Sequence, residues 1–128
     1  MEPTRFDQIR LGSYNAKARV DDMNANGVLG ALNFPSFPTF AGGVFLKAAA
    51  TAPDKALRAI KAYNDWHVLD WCATAPERFI PLALLPLWDM NETLKELKRM
   101  SDLGVHAISF PDNPTLAANL PSIHNDFG

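Results

Sequence analysis

The sequence predicts an α/β protein, a parallel sheet of about three βα units with its helices on the outside, in a single domain over residues 1–128. Three observations predict it. Apolar runs of strand length, VLGALNF at 28–34, IPLALL at 80–85 and VHAISF at 105–110, alternate with stretches whose apolar residues recur at helical spacing. Short links join those stretches to the following runs, so consecutive strands must lie parallel with a helical crossover between them. Finally, the phrase MNANGVLGALNFP at 23–35 returns as MSDLGVHAISFP at 100–111. Each copy has Met, then Gly-Val four residues on, then Ala, a branched apolar residue, a small polar residue and Phe-Pro. Such a phrase marks the seam between a helix and the strand it feeds.

In chain order, the first 16 residues show no period and are expected to form an irregular arm. AKARVDDMNAN, residues 16–26, predicts a short helix, capped at its C-terminus by Gly27. Val28 to Phe34 follows as a buried strand, stopped by Pro35. Residues 35–53, PSFPTFAGGVFLKAAATAP, predict a long βα loop holding Phe37, Phe40 and Phe45. Connections of that length tend to be functional, and three phenylalanines argue against disorder. Pro53 and Asp54 open a helix expected to run to about Thr74, with a stripe of Ala56, Ile60, Tyr63, His67 and Trp71 widened by Leu57 and Trp66. Ile80 to Leu85 predicts a strand buried on both faces. Asp89 and Glu92 have capping-box spacing. Met90, Leu94, Leu97, Met100 and Leu103 continue as a helical stripe that Gly104 closes. The last strand, Val105 to Phe110, ends at Pro111, and residues 113–128 predict an irregular tail.

Composition narrows the function. Apolar residues make up 48 % of the chain, enough for a real core, and the formal net charge of −2 comes from interspersed acids and bases. No basic stripe interleaved with aromatics appears, which argues against nucleic acid as a partner, and nothing in the charge pattern favours an anionic membrane. The most apolar run, Phe79 to Trp88, contains two prolines and falls well short of the roughly 20 residues of a spanning helix. Cys72 is the single cysteine. It rules out an intrachain disulfide and a Cys-rich zinc site, and a reduced, cytoplasmic setting is the expectation.

Four stretches together, ARVDDMNANGVLGALNFPSFP, AIKAYNDWHVLDWC, PERFIPLALLPLWD and LGVHAISFPDNP, resemble the amidohydrolase-related family, the branch of the amidohydrolase superfamily that holds aminocarboxymuconate-semialdehyde decarboxylase-like enzymes. The resemblance runs from about Ala18 to the C-terminus. It implies a (β/α)8 barrel enzyme that uses a divalent metal, zinc foremost, to hydrolyse or non-oxidatively decarboxylate a small carboxylic or aromatic substrate, and a homodimeric parent. It also implies a His-x-His pair after the first barrel strand, and no such pair occurs in this sequence. A barrel takes about 250 residues and eight strands. The expectation is therefore a partial (β/α)8 barrel, an internal segment holding about the second to fourth strand units. On that expectation the chain holds no metal ligands and no metal is expected in it. It should be inactive by itself, and poorly soluble because an unclosed sheet leaves edges and apolar faces uncovered.

Candidate residues follow from that frame. His67, inside the long helix, is expected to be packed or partly exposed rather than a ligand. His106 sits at the N-terminal end of its strand, the stability face of a barrel. His124 is either a loop residue or a pocket residue. Asp89 and Asp112 each follow a strand's C-terminal end, where barrel sites are built; Asp89 also suits a helix N-cap and Asp112 a turn. Glu92 and Glu96 suit a cap and a charged face, and Asp21 and Asp22 a solvated helix. Ser36, Ser109 and Ser122 lack a nucleophile elbow, and Gly42-Gly43 lacks the Lys-Ser/Thr of a phosphate loop. No catalytic residue is assigned. A substrate-pocket rim remains: Asn33, Phe34, Pro35 and Phe37 at one strand end, Trp88 and Asp89 at the second, and Ser109, Pro111 and Asp112 at the third, with His124 as a further candidate. Phe37, Phe40 and Phe45 either lid a substrate or pack the loop. A complete small α/β binding module without catalysis is the competing expectation.

Overall fold

The computed structural model describes residues 4–113, 115, 120 and 121. It is an α/β structure in which α1 (Ala16–Ala25), β1 (Ala31–Leu32), α2 (Gly43–Ala49), α3 (Pro53–Asp65), β2 (Phe79–Ile80), β3 (Leu82–Leu84), α4 (Met90–Asp102) and β4 (Ala107–Ser109) follow in order. Both strand pairings are parallel, β1 with β2 in the register Ala31↔Phe79 and β3 with β4 in the register Leu82↔Ala107. These make two two-stranded sheets, and among the described residues the sheets do not close into a barrel. No described helix is long and apolar enough to cross a membrane.

The repeated Met…Gly-Val phrase has one geometry in both places. After α1, Gly27 N–H donates to Asn24 O and Val28 N–H to Met23 O; after α4, Gly104 N–H donates to Ser101 O and Val105 N–H to Met100 O. These two bonds define a Schellman cap, and each needs a left-handed residue, here Gly27 at φ 67° and Gly104 at φ 81°. Both methionines are buried, each in its own cluster. Met23 meets Cys72, Ala75 and Phe79, while Met100 meets Val68, Ala83 and Val105.

Several expected elements are shorter or differently placed. The strand expected over 28–34 is confined to Ala31–Leu32, and Leu29 is 85 % exposed. The Arg78 side chain captures the carbonyls that a ladder would use: its Nε donates to Leu29 O at 2.6 Å and its Nη2 to Val28 O at 2.8 Å. Residues 35–53 are not all loop, since they contain a 3₁₀ turn at Phe40–Gly42 and then α2. The arm likewise holds 3₁₀ turns at Phe6–Gln8 and Leu11–Ser13. The run at 80–85 breaks into β2 and β3 at Pro81, which has no N–H to donate. Leu82, Ala83 and Leu84 are buried as expected, but Ile80, Ile108 and Phe110 lie exposed, so the strands are not covered on both faces.

The long helix reaches Thr74 as expected, although its winding changes. After α3 it continues as a π-helical turn at Trp66–Trp71 and a 3₁₀ turn at Cys72–Thr74. The inward face of α4 also differs from the expected one. Its predicted apolar stripe faces outward at Met90, Leu94 and Leu97, and its buried face is Thr93, Glu96 and Met100. Glu96, expected on a charged surface, is 1 % exposed.

That burial is tolerated because the polar groups partner one another. Asn64 Nδ2 donates to Leu84 O at 2.9 Å and to Glu96 Oε1 at 2.7 Å, while Leu84 N–H donates to Asn64 Oδ1 at 2.9 Å. Arg99 closes the network with two bonds to Glu96, at 2.9 and 2.7 Å, and one to Asp65. The paired carboxylates, Glu96 before Asp65, raise the Arg99 pKa. A buried carboxylate is costly alone and acceptable when fully hydrogen-bonded. This network fixes α3 and α4 to β3.

Candidate functional site

Directly after the C-terminal end of β1, Asn33 to Pro38 form one wall of a cavity of about 450 Å³. The arm contributes Ser13 and Tyr14, α1 contributes Arg19 and α2 contributes Phe45. The floor comes from the helical rod, as Tyr63, Trp66, His67 and Trp71. The wall is therefore aromatic with a few polar groups, the composition typical of small-molecule pockets.

The π-helical turn builds the floor. Hydrogen bonds of i→i+5 type insert an extra residue into the helix, a feature often found at functional sites. Here it brings His67 and Cys72, five residues apart, into contact at 3.6 Å between Nε2 and Sγ. The direction of that bond follows the tautomer: a ring protonated on Nδ1 accepts from the S–H, and one protonated on Nε2 donates to the sulfur. Tyr63 lies parallel over His67, with ring centres 5.8 Å apart and planes at 8°. Burial lowers the His67 pKa and so favours the neutral ring. Burial likewise pushes the Cys72 thiol up to about 11. The Tyr63 phenol is pushed up to about 12, by burial first and by Cys72 second. At neutral pH these three groups are uncharged hydrogen-bonding groups.

The loop after β1 is held under strain. Thr39 and Ala41 have φ of 61° and 54°, where side-chain-bearing residues are uncommon. Such residues persist only where the surroundings impose them, at a cost of about 1–3 kcal/mol each. One restraint is a buried hydrogen bond from Ala41 N–H to Ser109 Oγ, 3.0 Å long. Phe40 stacks on Phe34 with ring centres 5.2 Å apart. Trp71 Nε1 donates to Asn33 Oδ1 at 3.4 Å, which turns the amide oxygen away from a ligand role.

Of the predicted rim, the cavity wall takes Asn33, Phe34, Pro35 and Phe37 and does not include Trp88, Asp89, Ser109, Pro111 or Asp112. Asp89 is the N-cap of α4, its carboxylate accepting from Glu92 N–H at 3.0 Å. Ser109 is buried and holds the loop instead. Asp112 is exposed, and His124 lies outside the described residues. Phe37 and Phe45 line the cavity, whereas Phe40 packs the loop. Sequence reasoning missed Arg19, Tyr14 and the floor. His67 and Trp71 belong to the helical stripe, but nothing in that stripe says that one end faces a void.

A divalent metal finds no fit in this region. Among the described residues no group of three or more His, Cys, Asp or Glu could hold one. The His67–Cys72 pair offers two donors, and the raised thiol pKa disfavours the thiolate that a metal requires. No protein-family model matches the chain, and no curated protein matches it significantly.

Proposed function

We propose that this chain is a βα segment of an amidohydrolase-related enzyme, a hydrolase or non-oxidative carboxy-lyase, and that it contributes the pocket for a small aromatic or carboxylic substrate. The observation that carries the reading is the aromatic cavity built directly on the C-terminal end of β1. Parallel α/β folds bind ligands at that end of their strands, because the loops there are free to vary while the strands hold them in place. Two parallel strand pairs with helices between them support the frame. The exposed Ile80 and Ile108 support it further, since a strand interior to a barrel presents such side chains to its other strands. The metal implied by the resemblance would be held by residues other than those described, and the part assigned to this chain is recognition.

Trp66 and Trp71 lie in the wall, so their fluorescence reports occupancy. Titrating the chain with simple aromatics such as benzoate and benzamide should give saturable quenching that Phe37→Ala weakens. A folded chain whose fluorescence responds to neither compound would sink the reading.

A binding module without catalysis is the second reading. It is favoured by a largely aromatic wall and by the lack, among the described residues, of any metal-ligating cluster. Such a module should unfold cooperatively as a monomer, whereas a barrel segment should associate through its open sheet faces. Sedimentation and thermal melting across a concentration series separate the two.

A further inference from the structure

Among the described residues, the wall of the cavity carries one charged side chain, Arg19, and no carboxylate. Arg19 Nε is buried and has no hydrogen-bond partner, an expensive arrangement for a guanidinium. The acid that feels its charge does not relieve it. Asp22, three residues on in α1, is engaged by Arg10 through both oxygens, at 2.8 and 2.5 Å. That bond to Arg10 is also the chief cause of the lowered Asp22 pKa, with Arg19 the smallest contributor. The Arg10–Asp22 pair thus consumes the carboxylate that would otherwise neutralise Arg19.

Two further polar groups of the wall, Asn33 and Tyr63, supply donors. Asn33 has its amide oxygen committed to Trp71, which leaves its amide N–H groups to donate. The Tyr63 phenol stays protonated, its pKa pushed up to about 12. From these observations we infer that Arg19 is the specificity-determining residue of the cavity, its guanidinium selecting a planar aromatic ligand that carries a carboxylate over a neutral one of the same shape. The inference rests on the pocket reading above and adds the residue and the charge. A guanidinium fork matches a carboxylate bidentately, and charge-assisted hydrogen bonds are about twice as strong as neutral ones.

The test is isothermal titration of the full chain with benzoate and with benzamide, its neutral near-isostere. Wild type should bind benzoate roughly tenfold more tightly. Added salt should weaken benzoate binding and leave benzamide unchanged. Arg19→Gln should bring the ratio to near one, and Arg19→Lys should keep part of the preference. Equal binding of the two compounds by wild type, or a preference that survives in Arg19→Gln, overturns the assignment of Arg19 and leaves the pocket standing. Binding of neither compound overturns the pocket with it. Should Arg19→Gln fail to fold, the wild-type ratio and its salt dependence decide the matter alone.

Discussion

Asn64 shows how one polar side chain holds two helices to a strand. Its amide satisfies both the N–H and the C=O of Leu84 and also donates to Glu96, and all of it is buried. Asn64→Ala strands two backbone groups without water. The expected loss is about 3 kcal/mol, measured as a lower urea midpoint at unchanged slope. His67 makes a second expectation at this scale. Its folded pKa is lowered by burial from an ordinary 6.5, so the unfolded chain binds the proton more readily. Stability should therefore be highest above about pH 6.5 and fall as the pH drops through that value towards the lowered one. Urea titrations at pH 7.5 and 5.5 should show the fall, and His67→Gln should flatten it. Asn64 occupies a position four residues from Ile60 and Glu96 one four residues from Met100, so both sat on the core face by spacing. Their polarity hid them, because their partners come from elements 20 and 32 residues away in sequence.

Among the elements, the two Schellman caps make the clearest comparison. A Cβ added at Gly27 or Gly104 would meet nothing within 4 Å, so replacing either glycine by alanine costs only the left-handed conformation. Each substitution should cost about 1 kcal/mol, and the two effects should be similar because the cap is the same. Asp89→Ala removes the N-cap acceptor of α4 and should cost about 1 kcal/mol as well. Thermal melts of the three variants check both statements. These caps were legible in the sequence, because Gly-Val after a methionine, and Asp three residues before Glu, act over one turn of chain. The strand lengths were not. Apolar runs at 28–34 and 105–110 predicted longer strands than form, since a ladder needs a neighbour at every position, and Arg78 takes the carbonyls of Val28 and Leu29.

At the scale of the molecule, apolar side chains of the described residues stay exposed on α4 and at β4. Leu94 is 58 % exposed and Leu97 40 %, on the outer face of α4, and Ile108 and Phe110 are open on β4 and just beyond it. Soluble monomers rarely expose large contiguous apolar patches, and Leu94 and Leu97 share one face of α4 at i,i+3 spacing. The double variant Leu94→Lys with Leu97→Glu should reduce association at high concentration and dye binding to exposed apolar surface, with little change in the urea midpoint, because neither side chain is in the core. Light scattering and denaturation on the same samples test that pairing of outcomes.

The sequence by itself determined the α/β class, the parallel pairing, the positions of the three helices other than α2, and both helix-to-strand seams, because these depend on spacing, capping and chain connectivity within a few turns. It also placed Asn33, Phe34, Pro35 and Phe37 at a strand end, where they do line a cavity. Only the tertiary structure decided that Arg19 and the π-helical floor meet them there, that Ser109 serves as a loop anchor, and that α4 turns its polar Thr93–Glu96 face inward. The physical reason is common to all three: a side chain's role depends on which distant groups remain free to partner it. Arg19 lines the cavity with its Nε unpartnered while Arg10 holds Asp22, and Glu96 is buried because Asn64 and Arg99 meet it.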